Sequence, residues 1–262
     1  MTFLLTLVAL SLAGAFVSGL VGVGGAIVMI PLLLYVPPLL DVGWLDVKTV
    51  TAVTMVQVFV AAASGMVAHR RVRAVRRDLA LTGGLAMAAG SLTGAVLSLW
   101  ADDRMLLFVF GLMTLSALVL LFFPIDTAGQ PIFAERVEFN RPRAIAVCGS
   151  VGVVAGLVGA GGAFLLVPLL LVVVGLPIRV TIGSSLAITA LAATAGVIGK
   201  LVTGQVPVAP TAAVVLGAVP GAQIGALLSR RLSGTGLRRA LFLVTLVSAV
   251  RVWWDLLGPG GH

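Results

Sequence analysis

The sequence predicts an all-α membrane protein made of two inverted repeats, each a broken or re-entrant glycine-rich helix pair followed by three transmembrane helices. Three observations predict it. Of the 262 residues, 60% are hydrophobic and only 10% charged, whereas a soluble globular domain carries about 25% charge. The phrase SGLVGVGGAIVMIPLLLYV at residues 18–36 returns as AGLVGAGGAFLLVPLLLVV at 155–173, with 12 of 19 aligned positions identical, so the chain is a duplicated module. The basic residues, finally, gather on one face only if the two modules lie antiparallel.

Long apolar runs without period-2 alternation, rich in Leu, Ala, Val and Gly, select spanning helices over a barrel. The first glycine-containing segment, Thr2 to Val36, holds more residues than one span needs and makes two only awkwardly. A broken helix or a re-entrant pair fits it better. Its start lacks a basic n-region and corresponds to Ala144–Val154 of the second repeat, so it reads as a retained helix rather than a signal peptide. Crossings follow at Val47–Ala68, Leu79–Trp100 and Met105–Phe123, and Pro124–Pro142 is the one long polar stretch, read as a cytoplasmic linker. The second module repeats the order: a glycine segment at Arg143–Val174, then crossings at Val180–Val202, Val208–Ser229 and Leu237–Leu257. Each crossing is 19 to 23 residues long, enough at about 1.5 Å per residue for a hydrocarbon core about 30 Å thick. The expected division is a first module at 1–123, a linker at 124–142 and a second module at 143–262.

If each glycine segment enters and leaves on one side, one face carries Arg70, Arg71, Arg73, Arg76, Arg77, Arg136, Arg141, Arg143, Arg179, Arg230, Arg231, Arg238 and Arg239. The other carries Lys48, Arg104, Lys200 and Arg251. That split is 13 to 4, against 10 to 7 for eight simple crossings, and it favours antiparallel modules with the arginine-rich face in the cytoplasm.

Glycines in GVGGAIVMIP and GAGGAFLLVP let two helix ends approach closely, and the helices starting at Ala26 and Ala163 offer unpaired first-turn N–H groups. Those N–H groups and the positive end of the helix dipole favour an anion. The candidate binding residues are therefore Gly22, Gly24, Gly25 and Ala26, with Gly159, Gly161, Gly162 and Ala163. Tight helix packing is the alternative role for such glycines. The next helices add hydroxyls and an amide, VTAVTMVQV against TIGSSLAIT, which places Thr51, Thr54 and Gln57 on one face of the first and Ser184 and Ser185 on the second. Gln223 completes the set as a second amide within a crossing. Lys200 and His69 close equivalent helix ends; snorkelling to the interface is their expected role, and drawing an anion to one mouth of a pathway is the alternative.

No Asp, Glu, Lys or Arg lies near the middle of a predicted crossing, the place where a carrier of metal cations or protons displays buried carboxylates. No catalytic or metal-binding residue is expected, and no cofactor. The sequence lacks HExxH, its two histidines are His69 and His262, and its one cysteine, Cys148, makes no disulfide or CxxC motif. The net charge of +8 comes from arginine clusters beside apolar runs without aromatic interleaving, which argues against nucleic acid.

With its paired GxGG-xxxxx-P phrases followed by Thr- or Ser-bearing helices, the chain resembles the TauE/SafE family of sulfite exporters and sulfonate transporters over essentially its whole length. The resemblance implies transport of small sulfur-containing anions such as sulfite, sulfoacetate or related organosulfonates. It lays the glycine motif on Gly22, Gly24, Gly25 and Pro31 and on Gly159, Gly161, Gly162 and Pro168. It lays a Gly-Thr-Ser type hydroxyl run on Gly183, Ser184 and Ser185, degraded in the first module to Ala52, Val53 and Thr54. The expectation is a secondary transporter of the bacterial inner membrane working by alternating access, with a small sulfur anion and the lipid bilayer as partners and a homodimer as one permitted assembly. A passive anion channel and a membrane scaffold are the alternatives.

Overall fold

A computed structural model describes residues 2–21, 25–70, 76–122, 139–229 and 234–257. Among them the helices are α1 (Thr2–Val21), α2 (Ala26–Leu39), α3 (Val47–Arg70), α4 (Arg77–Leu97), α5 (Asp103–Phe122), α6 (Arg141–Val158), α7 (Ala163–Val172), α8 (Ile178–Val202), α9 (Val208–Ser229) and α10 (Gly234–Leu257). The six expected crossings are α3, α4, α5, α8, α9 and α10, each within three residues of its expected ends. Polar residues set several starts: Asp46 accepts from Thr49 N, Asp102 from Met105 N, and Asn140 from Arg143 N, so α6 opens two residues inside the expected linker. The rest of that linker, up to residue 138, lies outside the described residues.

Among the described residues, seven helices, α1, α3, α4, α5, α6, α8 and α9, are long and apolar enough to cross a membrane. α10 carries Arg238, Arg239, Arg251 and Asp255 toward its two ends. The exterior is apolar as a bilayer requires: Leu216, Leu85 and Val247 are each more than 60% exposed, while Thr54, Gln57, Thr189 and Lys200 are fully buried. That reverses the distribution of a soluble protein.

Both glycine segments form hairpins. A Cβ built on Gly25 lies 2.9 Å from Ser18 Cβ, and one on Gly14 lies 3.0 Å from Met29 Sδ, so α2 runs back along α1. In the second half, a Cβ on Gly162 lies 2.7 Å from Ala155 Cβ, so α7 runs back along α6. At 14 and 10 residues, α2 and α7 are too short to cross a membrane alone.

The halves interlock. α1 packs along α9 and its counterpart α6 along α4; α5 meets α7 as α10 meets α2; α3 meets α8. Exchanging the two halves maps this set of pairings onto itself. Along the central pair, Lys200 reaches Thr51, Gly196 meets Met55, and Leu186 packs with Ala62, so the equivalent helices α3 and α8 run in opposite directions.

Two glycine stripes set the closest contacts. On α9, Gly217, Gly221 and Gly225 stand against the backbone carbonyls of Val8, Leu12 and Phe16 on α1. On the α4–α6 seam, Gly90 and Gly94 face the carbonyls of Gly149 and Val153, while Gly152 and Gly156 face those of Met87 and Ser91. Any side chain there would collide with backbone, so these glycines serve the tight packing that small residues permit between membrane helices.

Candidate functional site

Helix starts come first. Gly25 (φ 81°) and Gly162 (φ 70°) occupy the left-handed region, which turns the chain abruptly into α2 and α7. The first backbone bonds to their carbonyls come from Val28 and Met29 in α2 and from Leu165 and Leu166 in α7. The amides of Ala26 and Ile27, and of Ala163 and Phe164, therefore have no intrahelical acceptor. Among the described residues no side chain caps the start of either helix. All four of these residues are buried.

The middle of α3 touches both hairpin tips. A Cβ on Gly25 lies 3.0 Å from Gln57 Nε2, and one on Gly161 meets Val58 Cγ1 and lies 3.3 Å from Thr189 Cγ2 of α8. Adjacent residues of one helical turn thus contact the two tips. Around them, Ser18 Oγ, Thr54 Oγ1, Thr189 Oγ1, Ser91 Oγ and both amide atoms of Gln57 are buried without a hydrogen-bond partner among the described residues. A buried amide or hydroxyl ordinarily finds a partner, and leaving one unmade costs about 1–3 kcal/mol. The hydroxyls and the Gln57 Nε2 of this group are orphaned donors, and beside two uncapped helix starts they suit a polar solute rich in acceptors.

The structure sorts the sequence candidates. It brings together Gly25, Ala26, Thr54 and Gln57 on one side and Gly161, Gly162 and Ala163 on the other. Gly22 and Gly24 lie outside the described residues. Gly159 (φ 71°) ends α6 and lies against the carbonyl of Thr51. Ser185 is buried on α8. Ser184 has a different task, accepting from the backbone N of Arg76 at the start of α4 at 3.1 Å. Gln223 is a correction: it stands on an exposed side of α9, because Ala222 and Ala226 face α1 and turn position 223 outward. Ser18, Ser91 and Thr189 were not singled out from sequence. Ser18 is matched by Ala155 and Thr189 by Val58, so a search for polar residues shared between the repeats passes over them.

Lys200 is the second correction. Its side chain turns inward and is 0% exposed instead of snorkelling out. Nζ donates to Ser98 Oγ at 2.6 Å, Gln205 Oε1 at 2.9 Å and Thr51 Oγ1 at 3.4 Å. Short partners supplied by α3, α4 and the α8–α9 turn hold the ammonium inside the bundle. The side chain of His69, its expected counterpart, lies outside the described residues.

An apolar exterior, two buried helix hairpins and an inward-facing polar centre define a multi-pass α-helical protein of the cell membrane, of the transporter class. The chain matches the family described as Sulfite exporter TauE/SafE over residues 7–252 and belongs to that family. It is 30% identical over 247 residues to a "Probable membrane transporter protein" of Xylella fastidiosa (strain Temecula1 / ATCC 700964), covering 91% of this chain and 90% of the relative. It is 27% identical to "Probable membrane transporter protein YunE" of Bacillus subtilis (strain 168), over 86% of this chain and 88% of the relative. With "Probable membrane transporter protein YdhB" of the same organism it shares 25% identity, over 89% and 94% of the two chains. No solved structure matches at a comparable level.

Proposed function

We propose that the protein moves small sulfur-containing anions, sulfite, sulfoacetate or related organosulfonates, across the cell membrane by alternating access. The substrate is held between the α2 and α7 starts by first-turn amides and by Thr54, Gln57, Ser18 and Thr189. The single observation that carries this reading is Gln57, a fully buried amide with neither polar atom partnered, standing 3.0 Å from the Cβ position of the left-handed Gly25. Donors without a fixed full charge complement an oxyanion and let it leave again. The family description supports the sulfur oxyanion as the class.

The two modules, 1–123 and 143–262, are read as inverted repeats with the arginine-rich face in the cytoplasm, and the antiparallel course of α3 and α8 supports this. Rocking one module against the other about that pair would expose the central site to each side in turn.

The test is flux of radiolabelled sulfite and sulfoacetate into proteoliposomes. Gly25→Val with Gly162→Val puts branched side chains at left-handed positions and into the tips, and flux is expected to fall to the protein-free background. Unlabelled substrate on the far side is expected to accelerate labelled uptake by the native protein; a passive channel gives no such acceleration. Undiminished flux in a folded double variant would remove the site.

A further inference from the structure

We propose that Lys200 forms a second anion subsite, lying between the central site and the face of the protein that carries Lys48 and Trp100, where an anion exchanges water for an ammonium before reaching Gln57. The inference rests on the central-site reading given above.

A fully buried ammonium is costly unless a negative charge answers it. Lys200 Nζ has three neutral oxygens as partners, from Ser98, Gln205 and Thr51, and no carboxylate lies within ion-pair distance among the described residues. Each partner is also tied to the protein by a bond of its own that does not involve the ammonium, and Ser98 Oγ stands 3.3 Å from Gln205 Oε1, within reach to donate to it. Ser98 Oγ donates to Ala95 O, Gln205 Nε2 to Thr203 Oγ1, and Thr51 Oγ1 to Lys48 O. The partners therefore stay anchored whether the ammonium points at them or turns toward a ligand.

Position supplies the second argument. Thr51, the deepest of the three partners, shares a helical face with Thr54 and Gln57 and lays its carbonyl against Gly159 of the second hairpin. From Thr51 to Gln57 the helix rises about 9 Å, a single step for a small anion. On the outer side Lys48 Nζ reaches Leu99 O at 3.3 Å, beside the exposed Trp100. Two cations, one half-buried and one buried, thus precede the neutral donors of the centre. Residues of both halves make the subsite, so a relative movement of the halves would open or close it.

The test uses the full-length protein in proteoliposomes, with labelled sulfite as probe and its effect on melting temperature as a second readout. Lys200→Gln is expected to raise KM for sulfite about ten- to hundred-fold, the worth of one charged hydrogen bond, with kcat changed less than about three-fold. Lys200→Arg is expected to restore KM to within about three-fold of native. A purely structural lysine would instead lower the melting temperature and the amount of active protein, with KM unchanged. Unchanged KM in folded Lys200→Gln, alongside loss of flux in Gln57→Met, overturns the subsite and leaves the central site standing. Absence of sulfite flux and of sulfite-dependent stabilisation in the native protein overturns both.

Discussion

Gln57→Met is expected to raise the melting temperature of the ligand-free protein and to abolish its stabilisation by sulfite. The amide is fully buried and both of its polar atoms lack partners among the described residues. Replacing it with an unbranched apolar chain of similar volume removes a desolvation cost of about 1–3 kcal/mol without opening a cavity. An ordinary core residue behaves differently, since its substitution lowers stability and leaves ligand response intact in whatever still folds. The opposed signs are the signature of a group retained for binding at the expense of stability. Thermal unfolding in detergent with and without sulfite, followed by flux in proteoliposomes, reads both signs. A variant that melts lower than native and still responds to sulfite would return Gln57 to the structural core.

The largest loss of stability is expected from the α1–α9 seam. In Gly221→Ala with Gly225→Ala, each new Cβ would fall on a backbone carbonyl, Leu12 O or Phe16 O, and backbone cannot yield as a flexible side chain can. Overpacking costs about 1–3 kcal/mol per site, so the pair is expected to lose about 2–6 kcal/mol with α1 displaced outward. Because Ser18 and the Gly25 tip ride on that hairpin, flux should fall together with stability. Gly204→Ala is the control: Gly204 has open space around its Cβ position, so only the backbone strain of φ 69° is added. Equal melting temperatures for the double variant and native protein would show that the seam does not depend on contact this close.

The periodic and duplicated features were legible in the sequence, since a bilayer dictates helix length and duplication leaves matching phrases. The crossings expected at α3, α4, α5, α8, α9 and α10 fall within three residues of expectation, and each glycine segment, expected as a broken helix or a re-entrant pair, is divided into two helices. Within the proposed site, Thr54 and Gln57 were readable as polar residues three apart on one apolar face. Ser18 and Thr189 were not, because each stands where the other repeat has Ala155 or Val58, and the symmetry that revealed the fold concealed the departures from it.

Gln223 failed for a different reason. An amide in a crossing is expected to be buried, but the glycine and alanine stripe of α9 fixes which side faces α1 and leaves position 223 outside. The same stripe, GxxxGxxxG at Gly217, Gly221 and Gly225, was in view and would have fixed that rotation. Lys200 could not have been placed from sequence alone. Near a helix end a lysine can point either way, and here Ser98, Gln205 and Thr51, distant in the chain, draw it inward.

The central claim is that two uncapped helix starts and the Gln57 amide hold an oxyanion between the hairpins. Anomalous diffraction from crystals of the native protein with selenite, a heavier pyramidal oxyanion of the same form as sulfite, tests it most directly. The account predicts one dominant selenium peak between Gly25 and Gly162, with its oxygens about 3 Å from Gln57 Nε2 and from first-turn amides. A peak elsewhere, with that space closed by protein side chains in the same crystals, would contradict it.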